Sequence, residues 1–227
     1  MDINYTPLDN PVWYSLQQTH HELGVFYKDI AFYHPDFCPF GGVFKPSEMI
    51  TALSEYSKHT TDFYVVGTSP SCPPHLTVCK ELICNQMVLD SPIPIIHTHT
   101  TTALGTEHHQ DLFDLVNTVQ PGYFKKYTCR MGQYYGIYID NILVAVTGER
   151  MKMNQFTEVS AVVTHPDHTG NGYAKQLVAK TANAIFAQNK IPYLHVASTN
   201  IGAIRLYEKL GFRTRRQISF WQLSLTH

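Results

Sequence analysis

Thr164-His165-Pro166-Asp167-His168-Thr169-Gly170-Asn171-Gly172-Tyr173-Ala174 is the stretch on which the reading of this chain turns. It closes an apolar, strand-like run from Val159 to Thr164 and leads straight into a helix whose apolar face is Ala174, Leu177, Val178, Ile185 and Phe186. A glycine turn between strand and helix gathers backbone N–H groups in a concave arc at the positive end of the helix macrodipole, worth roughly half a unit charge. Such an arc binds phosphate. Gly170 and Gly172 let the backbone approach an anion with no Cβ in the way, and Ala174 is small enough for the helix to start close to its strand. Taken alone, a glycine pair at this place is more often only a tight turn.

Working outward, Ile191 to Ala197 reads as a strand, Gly202 to Leu210 as a helix ended by Gly211, and Phe212 to Leu225 as a final strand or bent pair. Upstream, Tyr135–Ile139 and Ile142–Thr147 flank the turn signal Asp140-Asn141, the clearest hairpin in the chain. Leu112, Leu115, Val116 and Val119 form a helical stripe closed by Pro121-Gly122. Nearer the N-terminus, Asn10-Pro11 opens a short helix running toward Leu23, and Pro46-Ser47 precedes a second with Met49, Ile50, Leu53 and Tyr56 on one face. Phe63–Val66 is a short buried strand, Thr68–His75 a surface loop, and Leu82–Leu89 a stretch of strands or short helices. Ser91 to Gly105, rich in Pro, Thr and His, marks the boundary between a first part, 1–105, and a second, 106–227. No internal repeat is visible.

The stretch from Thr157 to Phe212 resembles the GNAT superfamily of N-acetyltransferases. Thr164 to Ala174 looks like its first signature, a proline-initiated turn followed by R/Q-x-x-G-x-G/A. Asn200, Ala203, Leu206-Tyr207-Glu208-Lys209 and Gly211-Phe212 look like its second, N-x-x-A-x-x-L-Y-x-K-x-G-F. The pattern is closest to the branch similar to glycine N-acyltransferases. The resemblance implies an α/β fold, a mixed GNAT sheet over 106–227, preceded by an N-terminal α/β lobe that is either a degenerate half-repeat or a cap covering a sheet edge. It also implies acetyl-CoA, or another acyl-CoA, as co-substrate with no metal, and direct transfer of the acyl group to a primary amine. In such a site the amides of Gly170, Asn171, Gly172, Tyr173 and Ala174, with the Thr169 hydroxyl, hold the phosphates, and the backbone of Val162, Val163 and Thr164 pairs with the pantetheine arm. Asn200 bonds the same arm, and Tyr207 donates a proton to the sulfur. Glu158, eleven positions before Thr169, is the expected general base, with a solvated strand-end carboxylate as the plain alternative and His195 in reserve. One departure stands out: the Arg or Gln of the first signature is Thr169 here.

Composition is that of a globular chain. With 44% hydrophobic and 15% charged residues the chain folds, and a net charge of −1 gives no field for nucleic acid or an anionic membrane. The polar, acidic start of the chain and the lack of a long apolar run lead us to expect a cytoplasmic protein. Five irregularly spaced cysteines indicate reduced, structural thiols. His97, His99, His108 and His109 lack carboxylate or cysteine companions at ligand spacing and read as loop histidines. Tyr123, Phe124, Tyr134 and Tyr135 are aromatics for a pocket wall or for the core. The partners expected are a small-molecule or peptide amine and, as an open question of assembly, a second copy in a homodimer. The rival reading is a non-catalytic acyl-CoA-binding or sensor module.

Overall fold

The computed structural model describes residues 3–94 and 97–226. Its frame is one continuous eleven-stranded sheet. In chain order the helices of two or more turns are α1 (Pro11–Gln17), α2 (Met49–Tyr56), α3 (His109–Val119), α4 (Tyr173–Ala187) and α5 (Ile201–Lys209). The strands are β1 (Gly24–Tyr27), β2 (Ile30–Tyr33), β3 (Phe40–Val43), β4 (Asp62–Val66), β5 (Leu76–Val88), β6 (Thr102–Leu104), β7 (Tyr134–Ile139), β8 (Ile142–Lys152), β9 (Phe156–Thr164), β10 (Ile191–Ala197) and β11 (Arg213–Leu225). They lie in the order β1-β2-β3-β4-β11-β5-β10-β9-β8-β7-β6.

The second half follows the sequence closely. Asp140 and Asn141 take positive φ, 49° and 64°, as a two-residue hairpin turn requires, and set β7 against β8. β9, α4 and β10 form a parallel crossover, with Leu177, Val178, Ala182 and Ile185 of α4 fully buried. The first helix is shorter than expected: α1 stops at Gln17 and a 3₁₀ turn, His21–Leu23, completes the span. Strands β1 to β3 escaped the sequence reading, because each is only four residues long and β2 and β3 are buried on both faces, without alternation.

The larger difference concerns the division of the chain. The stretch read as short pieces from Leu82 to Leu89 belongs to a single thirteen-residue strand, β5, paired along its length with β11 on one side and with β10 on the other. Strand β11 in turn pairs with β4. Each half therefore places its long thirteen-residue strand inside the other: β11 sits beside β4, and β5 beside β10. A boundary at residue 105 divides the chain but not the sheet. The order of elements recurs as well. A helix, three antiparallel strands, a helix, a parallel strand and a last long strand occur as α1-β1-β2-β3-α2-β4-β5 and again as α3-β7-β8-β9-α4-β10-β11, with α5 present only in the second half. None of the described helices is long and apolar enough to cross a membrane.

Candidate active site

β9 and β10 pair only at Phe156, Thr157 and Glu158, opposite Ile191, Pro192 and Tyr193. Beyond Glu158 they part. A register shift between the pairs Val146–Val163 and Gly148–Ser160 marks a bulge in β9, and within it Ala161 has φ of 50°, a left-handed conformation that costs a non-glycine residue about 1–2 kcal/mol. The bend opens a cleft of about 470 Å³ that takes in Ser160, Ala161 and Val162 of β9, Val196 and Ala197 of β10, Ala174 of α4, and Asn200 and Tyr207.

At the rim, Gly170 and Gly172 have φ of 83° and 78°, with open space where a Cβ would stand. Among the described residues no side chain caps α4 and its first-turn amides, which have no acceptor within the helix, remain free. Thr169 and Asn171 are spent locally: the Thr169 hydroxyl donates to the Pro166 carbonyl (3.2 Å) and the Asn171 amide to that of His168 (3.0 Å). Tyr173 and Val163 turn their side chains into the core and offer only backbone. Thr164 pairs with Ala145 of β8. Asn200 caps α5, its Oδ1 accepting from the Ala203 amide at 3.1 Å. Its Nδ2 has no partner among the described residues.

Tyr207 is 6% exposed, its ring packed edge-on against Phe212, and its hydroxyl has no hydrogen-bond partner among the described residues. Burial pushes the phenol up to about 12. Cys84, also in the cleft wall, is pushed up to about 12 by burial and is an unreactive thiol at neutral pH.

Glu158 is not a solvated strand-end carboxylate. It is 1% exposed and accepts three hydrogen bonds: from Arg150 Nε (2.7 Å), Arg150 Nη2 (3.0 Å) and His195 Nδ1 (2.8 Å). Burial alone raises its pKa, but the Arg150 charge and the bonds from His195 and Arg150 more than offset this and hold it at about 2. That environment differs from what a free general base requires. Arg150 lies over the Phe40 ring, 4.8 Å from its centre. Phe40, Tyr123 and Phe220 complete this wall of the cleft, whereas Phe124 and Tyr134 pack against each other in the core. Sequence reading missed Arg150, although antiparallel pairing of β8 with β9 would have set it beside Glu158. It also missed Gln86, which nothing local connects to the site. The histidines at 97, 99, 108 and 109 lie outside the cleft; His108 accepts from the Gly105 amide, and among the described residues no group of three His, Cys, Asp or Glu is placed to hold a metal.

Residues 134–221, which contain β9, β10 and the start of α4 around the cleft, match the family model described as FR47-like protein. No curated protein matches the sequence. Among solved structures, a GCN5-related N-acetyltransferase from Kribbella flavida is 16% identical over 94% of this chain and 93% of its own, with a TM-score of 0.62, a likeness of fold. A tandem GNAT protein from the clavulanic acid biosynthesis pathway is likewise similar in fold, at 15% identity, covering 85% and 77% of the two chains with a TM-score of 0.56. A GNAT-family protein from Novosphingobium aromaticivorans DSM 12444 is 32% identical over 97% of this chain and 99% of its own, with a TM-score of 0.88. Identity of that size over nearly the whole of both chains means that the protein belongs to the GNAT family.

Proposed function

We propose that the protein is an N-acyltransferase that moves an acetyl or other short acyl group from acyl-CoA to a primary amine by direct attack in a ternary complex. The observation that carries this reading is one cleft with three parts: free helix N-terminal amides at its rim, a bent strand that has lost its neighbour, and a phenol without a protein partner. The first fits a pyrophosphate. The second, Ser160 to Val162 with Val163 and Thr164 following, offers backbone groups to the amides of a pantetheine arm, and Asn200 Nδ2 adds a donor. The thioester supplies an activated acyl group. Tyr207 stays protonated at neutral pH, so its hydroxyl is available to the departing sulfur. With a pKa of about 12 against roughly 8.5 for an ordinary thiol, it stabilises the thiolate by hydrogen bonding more readily than by full proton transfer. The inert Cys84 thiol favours direct attack over a covalent acyl-enzyme.

Glu158 takes a modified role in this proposal. A carboxylate near 2 lies roughly eight units below an alkylammonium group, too acidic to draw off its proton efficiently. We assign it the task of fixing Arg150 and His195, with water taking the proton or the amine arriving neutral. No other carboxylate lines the described cleft, so a monoamine suits it better than a polycation. The interleaved halves support reading 1–105 as a degenerate half-repeat. Its β3-to-α2 connection, Phe44 to Glu48, has no glycine turn, and α1 closes over β3: a Cβ on Gly42 would stand 2.5 Å from the Trp13 nitrogen. A single donor site, in 106–227, follows.

The pairing of Glu158 also favours a second reading, a non-catalytic acyl-CoA sensor. Following free-thiol release from acetyl-CoA across a panel of primary amines separates the two. Release with any acceptor supports the transferase; coenzyme A binding with no release across the panel favours the sensor.

A further inference from the structure

On the sheet face that carries α1 and α3, polar side chains make an unbroken path across five adjacent strands: Arg215 of β11, Gln86 of β5, His195 of β10, Glu158 of β9 and Arg150 of β8. Asp9 extends it to the N-terminal segment through Arg215 Nη2, at 2.6 Å. Gln86 is the central link. It is fully buried and stands opposite His195 in the register of β5 with β10. The path depends on the strand exchange, since β5 comes from the first half of the chain.

The partners of Gln86 fix which end of its amide is which. Its Nε2 lies 2.7 Å from the Leu8 carbonyl oxygen, which can only accept, and its Oε1 lies 2.9 Å from Arg215 Nη1, which can only donate. Arg215 reaches this place because it is the extra residue of a bulge between the pairs Thr214–Met87 and Arg216–Gln86. The third neighbour of Gln86 Nε2 is His195 Nε2, at 3.1 Å. An amide nitrogen is a donor only, so this ring nitrogen must present its lone pair. At the other side of the ring, Nδ1 faces a carboxylate oxygen and must carry the hydrogen. Both ring nitrogens are thereby assigned.

We propose that Gln86 is a positioning residue of the site: it holds His195 as a neutral imidazole protonated on Nδ1, so that the ring serves Glu158 as a fixed hydrogen-bond donor and takes no proton in the reaction. A second proton, on Nε2, would set N–H against N–H in a space sealed by Gln86. The charged and titratable groups around the ring are Glu158, Arg150, Tyr193 and Cys84, with Arg215 behind Gln86. The N-terminal half thus completes the site by supplying the Leu8 carbonyl and Gln86, and His195 is excluded as a reserve base. What this means for catalysis rests on the acyl-transfer reading; the tautomer itself does not.

The test needs no substrate. The full chain is labelled with ¹⁵N-histidine, and long-range proton–nitrogen correlation reads the two ring nitrogens of His195 separately, with His195→Gln identifying its signals by their loss. The expected result at neutral pH is a protonated-type Nδ1 and an unprotonated-type Nε2. A ring protonated on Nε2, alone or together with Nδ1, overturns the proposal, and this wild-type spectrum decides even if a variant does not fold, because correlating the His195 ring with its own backbone amide in the uniformly ¹³C,¹⁵N-labelled chain assigns the same signals. In Gln86→Glu the new carboxylate accepts from Nε2, and the His195 Nε2 signal should move to the protonated type. If the variant folds and the signal stays, Gln86 does not set the tautomer. If acetyl-CoA proves not to be a substrate while the wild-type signature holds, the acyl-transfer reading fails and the tautomer lock stands.

Discussion

Tyr207, set apart in the sequence by its motif, lines the cleft with a hydroxyl that has no hydrogen-bond partner among the described residues. Replacing it with Phe keeps the ring against Phe212 and removes only the donor. We expect Tyr207→Phe to leave coenzyme A affinity and thermal stability near wild type and to lower kcat by about a hundredfold, the lower range of acid–base contributions. Steady-state rates with one good acceptor check this, and an unchanged kcat where chemistry limits returns Tyr207 to the core. Glu158 behaves differently because it is spoken for. Glu158→Gln leaves Arg150 buried without its counter-charge, a loss of about 3–5 kcal/mol for a broken buried pair. The expected outcome is a lower Tm and an activity loss that raising the pH does not restore. Recovery at high pH in a folded variant would make Glu158 a base after all. The depressed Glu158 pKa also sets a sign for acid stability. A carboxyl near 2 in the folded state and about 4.5 otherwise contributes stabilisation that is fully present above 4.5 and lost as pH falls through about 2. Acid unfolding followed by circular dichroism should be shifted in Glu158→Gln across that interval and parallel to wild type above it.

At the scale of an element, α4 carries the donor end of the site. Its N-terminus is free because Gly172, at φ of 78°, turns the chain into the helix without a capping side chain. Gly172→Glu places an anion where a phosphate would sit and forces a side chain into a left-handed conformation, a strain of about 1–2 kcal/mol. Coenzyme A binding, measured by calorimetry, should be abolished while the protein stays folded, because the glycine borders open space rather than core. Gly172→Ala carries the strain without the charge, so retained binding in it together with loss in the glutamate variant isolates the anion effect. Equal affinity in all three proteins would remove the phosphates from this turn.

For the whole molecule, the exchange of β5 and β11 has a consequence for dissection. A fragment of residues 106–227 contains every residue of the proposed donor site, yet it lacks the strand that lies between β10 and β11 and pairs with both. We expect that fragment to be unfolded or aggregated when expressed alone, with β11 stripped of both its neighbours, one edge of β10 bare, and the apolar side chains Met87 and Val88 missing from its cores. Co-expression of residues 1–105 should restore solubility. A soluble, cooperatively folding fragment 106–227 would mean that β11 finds another partner and that the halves are separable.

By itself the sequence determined the second half of this protein in detail, because its signals are local. Asp140-Asn141 dictates a hairpin, Gly170 to Ala174 a turn into a helix, and the stripe Leu177, Val178, Ile185 a face to bury; each depends on residues within a few positions of one another. Asn200 and Tyr207 were readable for the same reason, by their place in a short motif. The tertiary structure alone decided which strand lies next to β10, since a long-range pairing such as His195 with Gln86 leaves no periodic trace in either segment. It also decided the chemistry of Glu158. A carboxylate on a strand reads the same in sequence whether water or an arginine faces it, and only the folded sheet, by bringing Arg150, His195 and Gln86 onto one face, turns it from a free acid into a buried, paired charge.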